Sequence, residues 1–93
     1  MAHLSVDLVA TDRTVWSGEA VMVVAPAADG EIGIMPGHEP VLAVLRAGSV
    51  RIRGVDGQVQ HAKVDAGFLS VDKDRVTIVV ESAEVPDASG ARN

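Results

Sequence analysis

The stretch GEIGIMPGHEP, residues 30–40, departs from the pattern of the rest of the chain more sharply than any other segment. Its two prolines each fix φ at about −65°, and Gly37 permits a conformation that other residues avoid. In its second half, residues 35–40, this composition excludes regular structure and is typical of a rigid corner where the chain passes between sheets. A rigid corner also lowers the ordering cost of binding. It can therefore present Glu31 and His38 to a partner.

On both sides of this corner the sequence has the short apolar alternation of β-strands. Val50 and Ile52 alternate with Arg51 and Arg53, which predicts one buried and one exposed face. Glycines interrupt every window of helix length, and valine dominates the apolar set. The predicted strands are residues 4–8, 14–25, 31–34, 41–45, 50–53, 58–64, 68–71 and 75–80, separated by turn signals at Thr11-Asp12-Arg13, Asp29-Gly30, Gly54-Val55-Asp56-Gly57 and Asp72-Lys73-Asp74. This pattern predicts an all-β chain, a flattened antiparallel β-sandwich or barrel of two sheets with about ten short strands.

Two predicted strands have further features. The long segment from Thr14 to Ala25 contains Ser17-Gly18, and a glycine inside a strand predicts that the segment bends or changes sheet there. Residues 20–24 and 77–80 are apolar on both faces. Because a two-layer sandwich covers only one face of each sheet, loops or another chain must cover the second.

Length and composition exclude several classes of protein. The chain has 93 residues, 13 acidic and 8 basic side chains, a net charge of −5, one Trp, one Phe and no Cys. The length predicts one domain. The missing cysteines exclude disulfides, thiol nucleophiles and cysteine-ligated metals. The acidic balance and scarce aromatics argue against nucleic-acid binding. No apolar run approaches the ~20 residues that span a bilayer, and the start of the chain has no export signal, so we expect an intracellular domain.

No set of residues in the sequence predicts a catalytic centre or a cofactor. His3, His38 and His61 are isolated from one another, and no local pattern makes them converge on a metal ion. None of the serines lies in a nucleophile elbow. Gly30 and Gly33 do not begin a dinucleotide fingerprint, because the third glycine and the following helix are missing. We expect no metal and no cofactor.

Residues 30–40 resemble the hallmark segment of the epsilon subunit of F-type ATP synthases, called delta in mitochondria. The resemblance extends over about residues 4–83. The other matching segments are HLSVDLV (residues 3–9), Trp16-Ser17-Gly18-Glu19, Ala47-Gly48, GFLSV (residues 67–71) and VTIVV (residues 76–80).

The resemblance implies a flattened sandwich of two five-stranded antiparallel sheets with a structural, non-enzymatic role. Domains of this family lie at the foot of the central stalk, bind the gamma subunit and rest on the polar loops of the c-ring. Proton flow turns the ring, and gamma passes this rotation to the alpha–beta head, where ATP forms. Carried over by position, the c-ring-facing loop is Gly30, Glu31, Ile32 and Gly33; the corner at the gamma and c-ring contacts is Pro36, Gly37, His38 and Pro40; and the strand packing on gamma is Met22, Val23 and Val24.

The resemblance also implies a location and a boundary. The chain would be peripheral, at the cytoplasmic face of a bacterial plasma membrane, and associated with the membrane only through the complex. Family members usually continue into a pair of helices, whereas this sequence has Pro86 and Gly90 in its last residues. We therefore expect a sandwich at residues 1–83 and a short flexible tail at 84–93 without a helical hairpin. The family's nucleotide sensing and helix-mediated inhibition do not carry over to this sequence.

Two alternatives remain open on the sequence. One is a free-standing β-sandwich that binds a protein segment or a small ligand, although the two aromatic residues count against a carbohydrate or drug-like ligand. The other is a small β-barrel metalloenzyme that uses the three histidines. Binding to gamma distinguishes the first from the rotor subunit, and metal analysis tests the second.

Overall fold

The structure is a computed structural model that describes residues 2–84. Nine strands account for most of this part of the chain, and it contains no helix. The strands are β1 (Leu4–Ala10), β2 (Arg13–Ala27), β3 (Gly30–Ile34), β4 (Val41–Leu45), β5 (Gly48–Gly54), β6 (Val59–Val64), β7 (Gly67–Asp72), β8 (Arg75–Val80) and β9 (Ala83–Glu84). The all-β prediction is confirmed. Glu84, which was expected to begin the tail, belongs to β9 and pairs with Lys63 of β6. The rest of the predicted tail, residues 85–93, lies outside the described residues.

The long strand β2 is shared by two sheets. Its first half pairs with β1, and the order continues through β8 and β7 to β4; we call this sheet A. Its second half pairs with β3 on one edge and with β5 on the other, followed by β6 and β9; we call this sheet B. Ala27 at the end of β2 also pairs with Leu45 of β4, so all nine strands form one hydrogen-bonded sheet that folds into the two layers A and B. Each layer has five strands when β2 is counted twice, and the sandwich prediction is confirmed. All strand pairs are antiparallel except β1 and β8, which are parallel.

The place where β2 changes sheet differs from the prediction. The strand pairs regularly through Gly18 and Ala20, and Val21 then forms a bulge opposite β5. The prediction of a bend at Ser17-Gly18 is therefore wrong. A Cβ on Gly18 would lie 2.9 Å from Cη2 of the Trp16 indole, so a larger residue there would require the indole to shift.

One apolar core fills the space between the inner faces of the sheets. Its largest fully buried side chains are Leu4, Leu8, Ile34, Leu45, Ile52, Leu69 and Ile78, and no polar or charged residue among residues 2–84 is buried. Burying one such side chain contributes roughly 1.5–3 kcal/mol to folding. Because the interior is wholly apolar, the polar groups that can meet a partner lie on the outer faces and in the turns.

The predicted alternation in β5 is confirmed, since Val50 and Ile52 are buried and Arg51 and Arg53 are exposed. Across residues 2–84, no helix is long and apolar enough to cross a membrane.

Candidate interaction surfaces

The corner after β3 is a hydrogen-bonded turn. The His38 amide donates to the Met35 carbonyl at 3.1 Å. Pro36 occupies the second position and Gly37 the third, with φ of 87°, as a type II turn requires. The Gly37 amide donates to Oδ1 of Asp74 at 2.8 Å. A side chain distant in sequence therefore holds the predicted corner in place.

Asp74 belongs to the two-residue turn between β7 and β8. Lys73 and Asp74 have φ of 53° and 62°, the left-handed conformation that a type I′ hairpin needs and that residues other than glycine adopt at a cost. The Asp74 carbonyl also accepts a hydrogen bond from the Ser5 amide at 2.8 Å. The turn thus connects the corner with the first strand of sheet A.

The corner residues differ in what they offer a partner. His38 and Pro36 are half-buried, whereas Gly37 and Pro40 are exposed. Nδ1 of His38 lies 2.7 Å from the Glu39 carbonyl. A carbonyl only accepts, so Nδ1 carries the hydrogen. Nε2 makes no hydrogen bond within residues 2–84 and is the ring atom available to another chain.

The predicted c-ring-facing loop has a different local structure. Gly30, Glu31, Ile32 and Gly33 all lie in strand β3, and the turn of the β2–β3 hairpin consists of Ala28 and Asp29. Describing the four residues as a loop is therefore wrong. Ile32 is half-buried: it packs against the core and also lines an open groove beside the hairpin.

Glu31 is the charged side chain that β3 exposes. It pairs with Pro26 of β2, and its Oε1 lies 3.9 Å from Nη2 of Arg51 on β5. Both side chains are largely exposed, so this ion pair contributes at most about 1 kcal/mol. The Glu31 carboxylate can therefore leave Arg51 and pair with a group of another molecule at little cost.

An open groove of about 770 Å³ lies between the β2–β3 hairpin and β4. Its most exposed apolar side chains are Leu42 and Val44, at 72% and 66% exposure. Sequence reasoning missed this groove. All five residues of β4 are apolar, so its sequence does not distinguish two faces, and only the fold shows that Leu42 and Val44 face outward.

The outer face of sheet A continues the apolar character of β4. Cross-strand neighbours run in one row through Val44, Phe68, Val79 and Val9, which we call the apolar row. Phe68 is 47% exposed. The prediction that residues 77–80 need cover on a second face is only partly met, because Val79 is half-buried by its neighbours.

The predicted gamma-packing strand is divided between two faces. Val23 is fully buried, because it pairs with Ile34 and Ile52 in the core layer. Including it as a contact residue is therefore wrong. Met22 and Val24 point to the opposite face and are half-buried.

Met22 and Val24 line a second groove, of about 260 Å³, on the outer face of sheet B. Its other lining residues are Arg51, Arg53, Val59 and His61. We call it the basic groove. Sequence reasoning missed it, because β2, β5 and β6 contribute to it from distant parts of the chain.

The predicted surfaces are not brought together in one place. The hairpin turn and the corner lie beyond opposite ends of β3. The strand between them is about 13 Å long, at the usual rise per residue. Glu31, through Arg51, is the residue that connects the hairpin with the basic groove.

The three histidines lie apart from one another. His3 contacts Glu19 at 3.1 Å, His38 contacts the backbone, and His61 lines the basic groove. Within residues 2–84 no three His, Asp or Glu side chains form a group that could hold a metal ion.

Two sheets that share one long strand, with a locked Pro-Gly corner and open outer grooves, define a β-sandwich interaction domain. The family model described as "ATP synthase, Delta/Epsilon chain, beta-sandwich domain" matches residues 3–86. The chain belongs to this family.

Relatives named ATP synthase epsilon chain support the assignment. The Micrococcus luteus protein is 50% identical over 91 residues, which are 98% of this chain and 100% of the relative. The Streptomyces avermitilis protein is 48% identical over 91 residues, covering 98% of this chain and 73% of the relative.

Solved structures show the same fold. A chain of the Euglena gracilis mitochondrial ATP synthase, in a structure of OSCP/F1/c-ring, aligns with a TM-score of 0.86 at 21% identity. The alignment covers 91% of this chain and 54% of the Euglena chain, so this chain spans about half of its length. A chain from the Tetrahymena thermophila central stalk and c-ring aligns with a TM-score of 0.73 at 18% identity, covering 87% and 65%.

Proposed function

We propose that the chain is an epsilon-type rotor subunit of an F-type ATP synthase, which joins the gamma subunit to the c-ring and passes rotation between them. It carries out no chemistry itself and acts on the alpha–beta head only through gamma. The observation that carries this proposal is the corner at Pro36–Pro40, held by its own turn and by the Asp74 carboxylate. A part that transmits torque needs such a stiff attachment.

The contacts are carried over from the family by matching sequence positions. Glu31, with the hairpin turn at Ala28 and Asp29, meets the c-ring loops, and the groove beside β4 widens this contact. His38 lies in the corner between the c-ring and gamma contacts. Met22 and Val24 of the basic groove pack on gamma. Ile32 lines the groove beside β4, and Val23 supports the face that packs on gamma from within the core.

Two features of the fold suit a mechanical role. The shared strand β2 runs through both sheets, so a load on the β2–β3 hairpin reaches sheet A along a continuous backbone. The apolar core has no buried polar group among the described residues that could rearrange under load. The subunit would sit at the cytoplasmic face of the membrane, bound there only through the complex and driven by proton flow.

A coupling measurement tests the proposal. ATP synthase assembled with this chain is placed in vesicles, and proton pumping is compared with ATP hydrolysis for the unmodified chain and for Glu31→Lys. We expect the proton-to-ATP ratio of the variant to fall by about threefold or more, because a positive charge replaces the negative carboxylate at the proposed ring contact. The thermal midpoint of the isolated chain should fall by no more than about 8 °C, since the exposed ion pair with Arg51 contributes at most about 1 kcal/mol.

Asp12→Lys is the matched control, because Asp12 is an exposed carboxylate in the turn between β1 and β2, away from the hairpin and from both grooves. It should leave the coupling ratio unchanged. A folded chain that binds neither purified gamma nor an isolated c-ring would contradict the proposal and favour a free-standing binding module.

A further inference from the structure

The basic groove combines positive charge with an apolar floor, in a chain whose net charge is −5. Register places Met22, Arg53 and Val59 side by side on three strands, and Val24, Arg51 and His61 in the next row. Each arginine therefore stands between residues of β2 and β6, directly paired side chains being about 5 Å apart.

The charges in this groove are only partly compensated. Arg51 faces Glu31 at 3.9 Å, whereas Arg53 has no carboxylate within 4.0 Å in the described part of the chain. The nearby Asp56 carboxylate accepts a hydrogen bond from the Gln58 amide at 3.0 Å. The groove therefore retains a guanidinium with its hydrogen-bond donors available.

The spacing of the two arginines restricts what fits. Arg51 and Arg53 are two residues apart on one strand face, so their Cα atoms lie about 6.7 Å apart. Carboxylates at alternate positions of an extended segment, or one turn apart on a helix, have a similar spacing. Arginine binds carboxylates through two parallel hydrogen bonds. Met22, Val24 and Val59 provide an apolar surface for a side chain between the two carboxylates.

We propose that the basic groove binds an acidic segment of gamma, with carboxylates on Arg51 and Arg53 and an apolar side chain over Met22, Val24 and Val59. This inference rests on the proposed function, because gamma is the partner to which the groove is assigned. It adds the chemical character of the segment and names Arg53 as its principal contact.

The groove's own chemistry is tested without gamma. The chain labelled with ¹⁵N is titrated with an acetylated, amidated ELELE peptide, and with KLKLK as the matched control. We expect the acidic peptide to shift the amide signals of Arg51, Arg53, Val59 and His61, and the basic peptide to leave them in place. Arg53→Glu should abolish the shifts. Absence of shifts there, equal shifts with both peptides, or shifts with inorganic pyrophosphate alone would overturn the proposal.

The assignment to gamma is tested by calorimetry with the purified subunit. Arg53→Glu should raise the Kd about tenfold, and raising the salt from about 50 to about 300 mM should raise the Kd of the unmodified chain, because screening weakens exposed charge pairs. Arg75→Glu, the same charge change on the outer face of sheet A, should alter the Kd by less than about threefold.

Equal effects of the two variants would overturn the proposal and leave the proposed function standing. Failure of the unmodified chain to bind gamma under all conditions would contradict the proposed function and remove the assigned partner, whatever the peptide titration shows.

Discussion

The outer face of sheet A carries the apolar row, whereas the outer face of sheet B carries the basic groove. Both sheets fill their inner faces with valine, leucine and isoleucine, and strand alternation then leaves every second residue free of the core. Val44 and Phe68 occupy those positions in sheet A, and Arg51 and Arg53 occupy them in sheet B. The core therefore constrains both inner faces to be apolar, whereas the outer faces differ in the chemistry that they offer for binding.

The largest expected effect comes from Gly67→Ala in sheet A. A Cβ on Gly67 would lie 2.0 Å from the Val79 carbonyl oxygen and 2.8 Å from the Val80 Cα. Both are backbone atoms of β8, so β7 and β8 must move apart at this position, which is next to Phe68 of the apolar row. We expect a loss of about 3 kcal/mol in the free energy of unfolding, measured by urea denaturation.

Gly33→Ala is the matched control in sheet B, because nothing lies within 4 Å of a Cβ at Gly33. Its free energy of unfolding should change by less than about 0.5 kcal/mol. A similar loss in both variants would mean that the close approach at Gly67 does not distinguish sheet A from sheet B.

A smaller effect separates the inner and outer faces of sheet B at neighbouring positions. Val23→Ala leaves a cavity in the core, so we expect a loss of about 2 kcal/mol in the free energy of unfolding. Val24→Ala trims a half-buried side chain in the basic groove and should cost less than about 1 kcal/mol.

Binding to gamma should change in the opposite order. If the groove packs on gamma, Val24→Ala raises the Kd more than Val23→Ala, as calorimetry with folded samples of each variant would show. If Val23→Ala raised the Kd more than Val24→Ala, the assignment of the gamma contact to the outer face of β2 would be wrong.

The smallest effects compare the hairpin turns of the two sheets. Sheet A turns at Lys73 and Asp74 with positive φ, whereas sheet B uses Gly57, with φ of 88°. Lys73→Gly relieves the strained conformation and should stabilise the chain by about 0.5 kcal/mol, after the entropic cost of glycine. Gly57→Ala should destabilise it by about 1 kcal/mol.

Thermal midpoints of the two turn variants check these signs. If Lys73→Gly lowers the thermal midpoint, the Lys73 side chain stabilises the fold by more than the strained backbone at this position destabilises it. The hydrogen bond from the Gly37 amide to the Asp74 carboxylate would then be examined in Lys73→Gly, because the substitution lies next to Asp74.

The strands and turns were largely predictable, because their signals are local. Arg51 and Arg53 mark the outer face of β5 directly. Met22, Val23 and Val24 are all apolar, so composition cannot assign their faces; the pairing of Val23 with Ile52 and Ile34 does. Gly18 is a similar case. The sequence shows a glycine, but only the fold shows the indole of Trp16 above it.

The surfaces were predictable to a lesser degree. The corner and Glu31 were identified because prolines and glycines in a short stretch constrain the backbone locally. The basic groove and the groove beside β4 were missed, since each depends on which distant strands become neighbours. The role of Asp74 at the corner was missed for the same reason, because 37 residues separate it from Gly37.

The parallel pairing of β1 with β8 has a consequence for the time course of folding. Val6 lies opposite Val76, so an early strand must wait for one of the last to be synthesised. Closing so long a loop carries a large entropic cost before any contact repays it. Chains rich in such distant pairings fold in milliseconds to seconds. During synthesis, β1 therefore remains without its β8 neighbour until Val80 has left the ribosome.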